Sequence, residues 1–428
     1  MGIYLNSDDT DFRSAVKYSR IYVDKTELIR YTNSVLFGEQ KYICVSRPRR
    51  FGKSMAANML TAYYSRGCDS RKLFQGLKIA THPDFEKHLN QYNVIHLNMR
   101  DYLTESENMK QLIQFVEDDL LDELQQEFSD LRMPRRKTLV KVLEQAFVQY
   151  KIPFVFIIDE WDCIFRVHKS DAASQKEYLD FLRNLLKDKS YIALAYMTGI
   201  LPIKKYGEHS AINVFYEYSM TDASPIEEFT GFTEQEVRQL CEQYNMPFSE
   251  TKKWYDGYCV DGVSIYNPKS VVEAMLRGKF SNYWTQTETY EALKIYIQSN
   301  EFGVQDVILK LLAGEKEKID TTTFSNDMVT FATKDDVLTL LVHLGYLTYN
   351  AETKEIWIPN DEVMEQFIST VKVMGWGKIV TALETSEKLL QATLSGDEQT
   401  VAELIEQAHQ ANASILKYND ENALSCVI

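Results

Sequence analysis

Cysteine is sparse and scattered. Cys44, Cys68, Cys163, Cys241, Cys259 and Cys426 are spread over 428 residues with no C-x-x-C pair among them. That spacing argues against a metal knuckle or a disulfide framework and fits a reducing compartment, so a cytoplasmic location is expected. No apolar run approaches the ~18 residues that a membrane-crossing helix needs. The opening MGIYLNSDDTDF lacks a basic region followed by an apolar one, so no secretory signal is expected. Asn6 stands where an acylation signal needs Ser or Thr. Positive charge is also short, with 47 Lys and Arg against 62 Asp and Glu and a net charge of −15. Such a balance excludes broad non-specific affinity for nucleic acid and leaves room only for a local basic groove. What is present, 45% hydrophobic and 25% charged residues, describes a globular protein of two or three domains.

The stretch around which the chain is organised is KYICVSRPRRFGKSMAANML, Lys41 to Leu60. Tyr42 to Val45 is an apolar, β-favouring run. Arg47 to Gly52 is a loop marked by Pro48 and Gly52, and Lys53-Ser54 opens a helix. Strand, loop, Gly-Lys-Ser and helix is the layout of a phosphate-binding loop. Backbone N–H groups and the positive end of a helix dipole cradle an anion there. Gly52 allows close backbone approach, Lys53 would reach the β- and γ-phosphates, and the Ser54 hydroxyl would ligate Mg²⁺. The general G-x-x-x-x-G-K-[ST] pattern asks for Gly at position 47, where this chain has Arg47. The nucleotide-contacting set is therefore expected to be Arg47, Arg49, Arg50, Phe51, Gly52, Lys53, Ser54 and Met55. The three arginines would neutralise a triphosphate that the altered loop holds less tightly.

The second half of the site is PFVFIIDEWD, Pro153 to Asp162. Phe154 to Ile158 suit a strand buried on both faces of a parallel sheet. The run ends in Asp159-Glu160, at the carboxyl end of a strand, where open α/β sheets place their ligands. Asp159 would hold Mg²⁺ and Glu160 would polarise the water that attacks the γ-phosphate. Thr198, ending a further apolar strand at Ile192 to Met197, is a candidate γ-phosphate sensor. The alternative is that Thr198-Gly199 merely turns the chain.

Strands alternate with helices as far as about residue 227, which predicts a doubly wound parallel α/β sheet over 1–227. Ile21 to Thr26 reads as a short strand leading into a helix at Glu27 to Leu36. Val94 to Met99 reads as a second strand. Met109 to Phe128, Leu139 to Tyr150 and Glu177 to Leu186 have helical periodicity. From Gly231 helices dominate, with a capping-box pattern at Thr233 and Glu236 and a helix opening at Pro268, giving a helical unit over 228–328. The aromatic cluster Trp254 to Tyr258 is read as a core anchor. Asp335 to Leu344, followed by Gly345 to Tyr349 and Glu355 to Pro359, reads as a winged-helix-like segment over 329–375. It could bind DNA or simply pack. Two helices follow over 376–428, and the apolar finish Tyr418 to Ile428 resembles the start of a further domain. The basic run Arg132 to Lys137 is read as a solvated connection.

These residues resemble a family of bacterial and archaeal AAA-ATPase-like proteins. The matching stretches are YVDKTELI at 22–29, SRPRRFGKSMAANML at 46–60, FIIDEWD at 156–162, TGILPI at 198–203, GFTEQEV at 231–237, WYDGY at 254–258 and YNP at 266–268. The resemblance implies that Arg47 is a family trait of the loop. It also implies a P-loop NTPase core of the additional-strand type, with the sensor strand between the loop strand and the Asp-Glu strand, and ATP as the nucleotide. No guanine-reading Asn-Lys-x-Asp pattern appears. Many members of that family continue into a PD-(D/E)XK nuclease-like domain, whose Asp…Glu-x-Lys motif is absent from this sequence. The expected activity is Mg²⁺-dependent ATP hydrolysis or switching. The alternative is a non-catalytic nucleotide-binding or scaffold module serving a protein or nucleic-acid partner.

Overall fold

The computed structural model describes residues 2–203, 212–284, 301–324 and 331–412, together with 295 and 297. The apolar finish at Tyr418 to Ile428 lies outside them. Five strands build the central sheet: β1 (Tyr42–Ser46), β2 (Asn93–Asn98), β3 (Phe154–Asp159), β4 (Ile192–Gly199) and β5 (Tyr216–Tyr218). All pair in parallel, in the order β2-β3-β4-β1-β5. β4 thus lies between the loop strand and the Asp-Glu strand, as the additional-strand arrangement requires. Helices Lys53–Tyr64, Met109–Glu127, Leu139–Tyr150 and Ala172–Leu186 form the crossovers.

The continuous apolar runs are explained by burial on two faces. Along β3, Phe154, Phe156 and Ile158 enter one hydrophobic cluster, while Val155 and Ile157 enter the other. Each fully buried side chain of this kind stabilises the fold by roughly 1.5–3 kcal/mol. Among the described residues no helix is long and apolar enough to cross a membrane.

Three local expectations are corrected. Ile21 to Thr26 forms no strand: among the described residues it pairs with no other strand, and Ile21 and Val23 pack on the core of the following unit. A helix at Thr10–Tyr18 and the edge strand β5 were not expected. The unit after residue 228 is not purely helical. Its helices Glu234–Tyr244, Phe248–Tyr255 and Pro268–Arg277 flank an antiparallel sheet of β6 (Phe232–Thr233), β7 (Tyr258–Val260) and β8 (Val263–Tyr266). The hairpin turns on Asp261 (φ 47°) and Gly262 (φ 79°), the two left-handed positions of a tight two-residue turn. The capping box is present, with Thr233 and Glu236 bonding reciprocally.

The C-terminal unit pairs β9 (Glu317–Lys318), β10 (Thr348–Asn350) and β11 (Glu355–Trp357) beside the helix Lys334–Leu344. Nine of that helix's eleven residues are buried. A helix that reads a DNA groove must present a face to it, so packing is the role this helix fills. Its hydrophobic side chains, Leu338 and Leu341 among them, belong to the same continuous cluster as the β3 face. Gly345, at φ 88°, closes the helix where a Cβ would lie 2.8 Å from Pro48 Cβ. The unit therefore rests directly on the back of the phosphate loop.

A buried carboxylate ties this unit to the preceding one. Glu362 accepts from Ser270 Oγ (2.9 Å) and from the backbone N–H groups of Tyr283 (2.6 Å) and Trp284 (2.8 Å). Burial raises its pKa to about 7, against the lowering effect of those donors. The folded state then keeps a proton that the unfolded chain has lost between about pH 4.5 and pH 7. Stability therefore falls as pH rises through that window. Glu362→Gln removes this titration. Between pH 5 and pH 8 the variant is expected to lose less stability than the wild type, by up to about 3 kcal/mol. Parallel melting curves for the two proteins across that range would rule out the assignment.

Candidate nucleotide-binding site

The site begins where β1 ends. Arg47 N–H donates to Gly199 O (3.1 Å), carrying the strand one residue further. The loop then turns out at Pro48, passes through Arg50 in the left-handed region (φ 70°) and reaches Gly52 (φ 86°), which caps the helix Lys53–Tyr64. Nothing stands within 4 Å of where a Gly52 Cβ would lie, so its backbone angle, not crowding, calls for glycine. The first N–H groups of the helix have no partner within it and lie at the positive end of its dipole.

Lys53 is buried, and its Nζ donates to Arg47 O (3.0 Å) and Pro48 O (2.9 Å). Burial lowers its pKa, opposed by the nearby carboxylates of Glu160, Asp159 and Asp162. At the end of β3, Asp159 Oδ1 accepts from the Thr198 hydroxyl and from Glu160 N–H (2.9 Å). Glu160 itself adopts φ 55°, a strained conformation for a side chain of its kind. Its Oε2 accepts from Arg166 Nη2. Burial pushes the Glu160 carboxyl up, but Arg166, Lys53 and Arg49 together hold it below its ordinary value.

A cavity of about 610 Å³ opens beside these groups, within the size range of small-ligand sites. Arg49, Arg50, Lys53, Ser54, Arg100 and Glu160 line its polar end, with Phe51, Gly52 and Met55 along the loop wall. Phe12, Ile21, Tyr22, Val23, Phe232 and Val272 line its apolar end. Lys25 closes one side by donating to Glu228 O (2.8 Å) and to Glu236 Oε2 (2.5 Å). The loop reaches the same unit through Gly231 N–H, which donates to Phe51 O (2.9 Å).

Most of the residues singled out in the sequence thus surround one cavity, but Arg47, Thr198 and Asp159 are not among its lining residues. The Arg47 guanidinium does not face it. That side chain is fully buried behind the loop, where Nη1 donates to Ser46 O (2.9 Å) and Tyr218 O (3.0 Å). Burial lowers its pKa to about 10, against the raising effect of Tyr196, Asp261 and Glu227. Thr198 also lies outside the cavity lining, and its hydroxyl donates to Asp159 Oδ1. Arg50 lines the cavity but also donates to Tyr283 O (3.1 Å). Lys25, Arg100 and Arg166 were missed. The one legible signal was Arg100, which closely follows β2 and so falls at the same edge of the sheet as Asp159-Glu160.

The donor set suits a hard cation. Ser54 and Asp159 offer oxygen ligands, the Asp159 Oδ2 takes no hydrogen bond from a described residue, and phosphate oxygens would complete the shell of a Mg²⁺ ion held there. Among the described residues no cluster of three or more His, Cys, Asp and Glu side chains could hold a metal.

A family model described as a predicted AAA-ATPase matches residues 9–207. That segment belongs to the AAA-ATPase-like family. The match takes in the phosphate loop, the Asp-Glu strand and β4, and membership makes the segment a nucleotide-binding module. The chain is also 25% identical over 279 residues to the "Uncharacterized protein in vnfD 5'region" of Azotobacter chroococcum mcd 1. That alignment covers 63% of this chain and 51% of the relative, so the chain spans about half the relative's length. Among solved structures, the Aeropyrum pernix ORC2 protein in ADPNP and ADP complexes is 13% identical, covering 89% of this chain and 99% of its own, with a TM-score of 0.33. The Aeropyrum pernix ORC1 protein in complex with DNA is 11% identical, covering 83% and 96%, with a TM-score of 0.28. Superpositions that loose carry no argument about this protein.

Proposed function

We propose that this chain is a Mg²⁺-dependent ATP hydrolase. One observation carries the reading: Lys53, at the start of the loop helix, and Glu160, at the end of β3, line the same cavity. The ammonium and the helix N-terminus would hold the β- and γ-phosphates, with Arg49 adding charge. Ser54 and Asp159 would hold Mg²⁺, which would supply charge neutralisation at the phosphoryl oxygens. Glu160 takes a proton from the attacking water. The water oxygen bonds to the γ-phosphorus as the bond to the β–γ bridging oxygen breaks, releasing ADP and phosphate. The apolar end, with Tyr22 and Phe232, suits a nucleobase. The unit after residue 228 acts as a lid joined to the core through Lys25 and Glu236.

Steady-state phosphate release by the purified protein, with and without duplex DNA, tests this reading. ATP with Mg²⁺ is expected to give turnover that chelation abolishes, and to raise the melting temperature. Stabilisation by ATP without turnover would replace the hydrolase with a nucleotide-binding scaffold.

A further inference from the structure

Glu160 is held by more than its own backbone. Arg166 lies on the short helix Cys163–Val167, with its side chain only 11% exposed. Its Nη2 donates to Glu160 Oε2 and, at 3.4 Å, to Asp162 Oδ1, while its Nε donates to Asp162 Oδ2 at 3.2 Å. Asp162 is wholly buried, and the same Oδ2 accepts from the backbone N–H groups of Ile200 (3.0 Å) and Leu201 (2.8 Å), just beyond β4. The guanidinium is thus fixed on one side by a carboxylate anchored to the main chain, and on the other grips a single oxygen of Glu160. No described residue donates to the second oxygen, Oε1, and Glu160 lines the cavity with Lys53.

We propose that Arg166 is the positioning residue of Glu160, fixing Oε2 so that Oε1 meets the attacking water, within an Asp162–Arg166–Glu160 relay. The proposal rests on the reading of Glu160 as the base. A base oriented by a third group is the general logic of an activated site. The strained φ of Glu160 makes such a hold necessary, since a side chain on a disfavoured backbone is not placed by local preference alone. The grip has an electrostatic consequence as well. Asp162 and Glu160 keep Arg166 charged despite its burial. Asp162 retains its two backbone donors if the arginine is removed, so the turn itself does not depend on it.

Arg166→Gln is expected to lower kcat roughly 10- to 100-fold, the usual scale of a misoriented general base. The dissociation constant for a non-hydrolysable ATP analogue should stay within about threefold, because Arg166 does not line the cavity. Arg166→Lys should recover part of the lost rate, and it carries the test if the glutamine variant does not fold. A kcat within twofold of wild type, or a dissociation constant weakened in step with kcat, overturns the proposal. Glu160→Gln separates the two layers. If it turns over ATP like wild type, the reading of Glu160 fails. If it is inactive while Arg166→Gln is fully active, only the role of Arg166 fails.

Discussion

Lys53→Ala is expected to abolish nucleotide binding at working concentrations. Lys53 is the buried cation at the phosphate end of the cavity, and Glu160, Asp159 and Asp162 all act on it. Removing it leaves that end with the carboxylates of Asp159 and Glu160 facing a triphosphate of the same sign. It also strips the donor from Arg47 O and Pro48 O, which Nζ bonds at 3.0 and 2.9 Å. Breaking a buried, hydrogen-bonded charge interaction costs about 3–5 kcal/mol, which corresponds to a loss of roughly 10²- to 10⁴-fold in affinity. Calorimetric titration with an ATP analogue reads this directly, and a melting curve without nucleotide shows whether the fold survives. Affinity within threefold of wild type would detach the loop from nucleotide binding.

Glu160→Gln is expected to give the opposite pattern, with binding preserved and turnover lost. Glutamine keeps the size and can still hydrogen-bond, but it cannot accept a proton. The expected fall in kcat is about 10²- to 10⁴-fold, the range for loss of a general base. Because the carboxyl pKa is held below its ordinary value, Glu160 stays ionised down to acidic pH. The wild-type rate should therefore be flat near neutrality and decline only at pH below the ordinary carboxylate range, where the base gains its proton. Single-turnover assays with saturating ATP give the rate, and titration with the analogue gives the affinity. Full ATPase activity in the variant would reject the role.

Much of this was legible because the signals were periodic or local. The five-residue apolar run before Asp159 could only be a strand covered on both faces, and Leu139–Tyr150 showed one apolar stripe at helical spacing. Where the reading failed, direction was the reason. Arg47 was assigned to the phosphates because it stands in the loop, but the chain there still follows β1, and that course sends the guanidinium to the rear. The outward turn starts only at Pro48, so Arg49 and Arg50 reach the cavity. Thr198 was placed correctly at its strand end, yet its hydroxyl satisfies Asp159 first. The hairpin at Val260–Val263 was in fact written in the sequence, since Asp261-Gly262 is a strong two-residue turn signal. Arg100 and Arg166 belong to no motif, and only the meeting of distant segments shows what they touch. The β-favouring residues at 21–23 point to a strand, but such a preference needs a neighbouring strand to act on, and they met a hydrophobic core instead.

The contact between Gly345 and Pro48 bears on how this protein comes apart. The rear wall of the phosphate loop is supplied by the far end of the chain, and the same apolar cluster runs without a break from the sheet into that wall. A shortened protein ending after the lid would bare that surface to water. Melting of the tail and loosening of the loop are thus expected to go together, and whatever tightens the loop should also fasten the helix packed behind it.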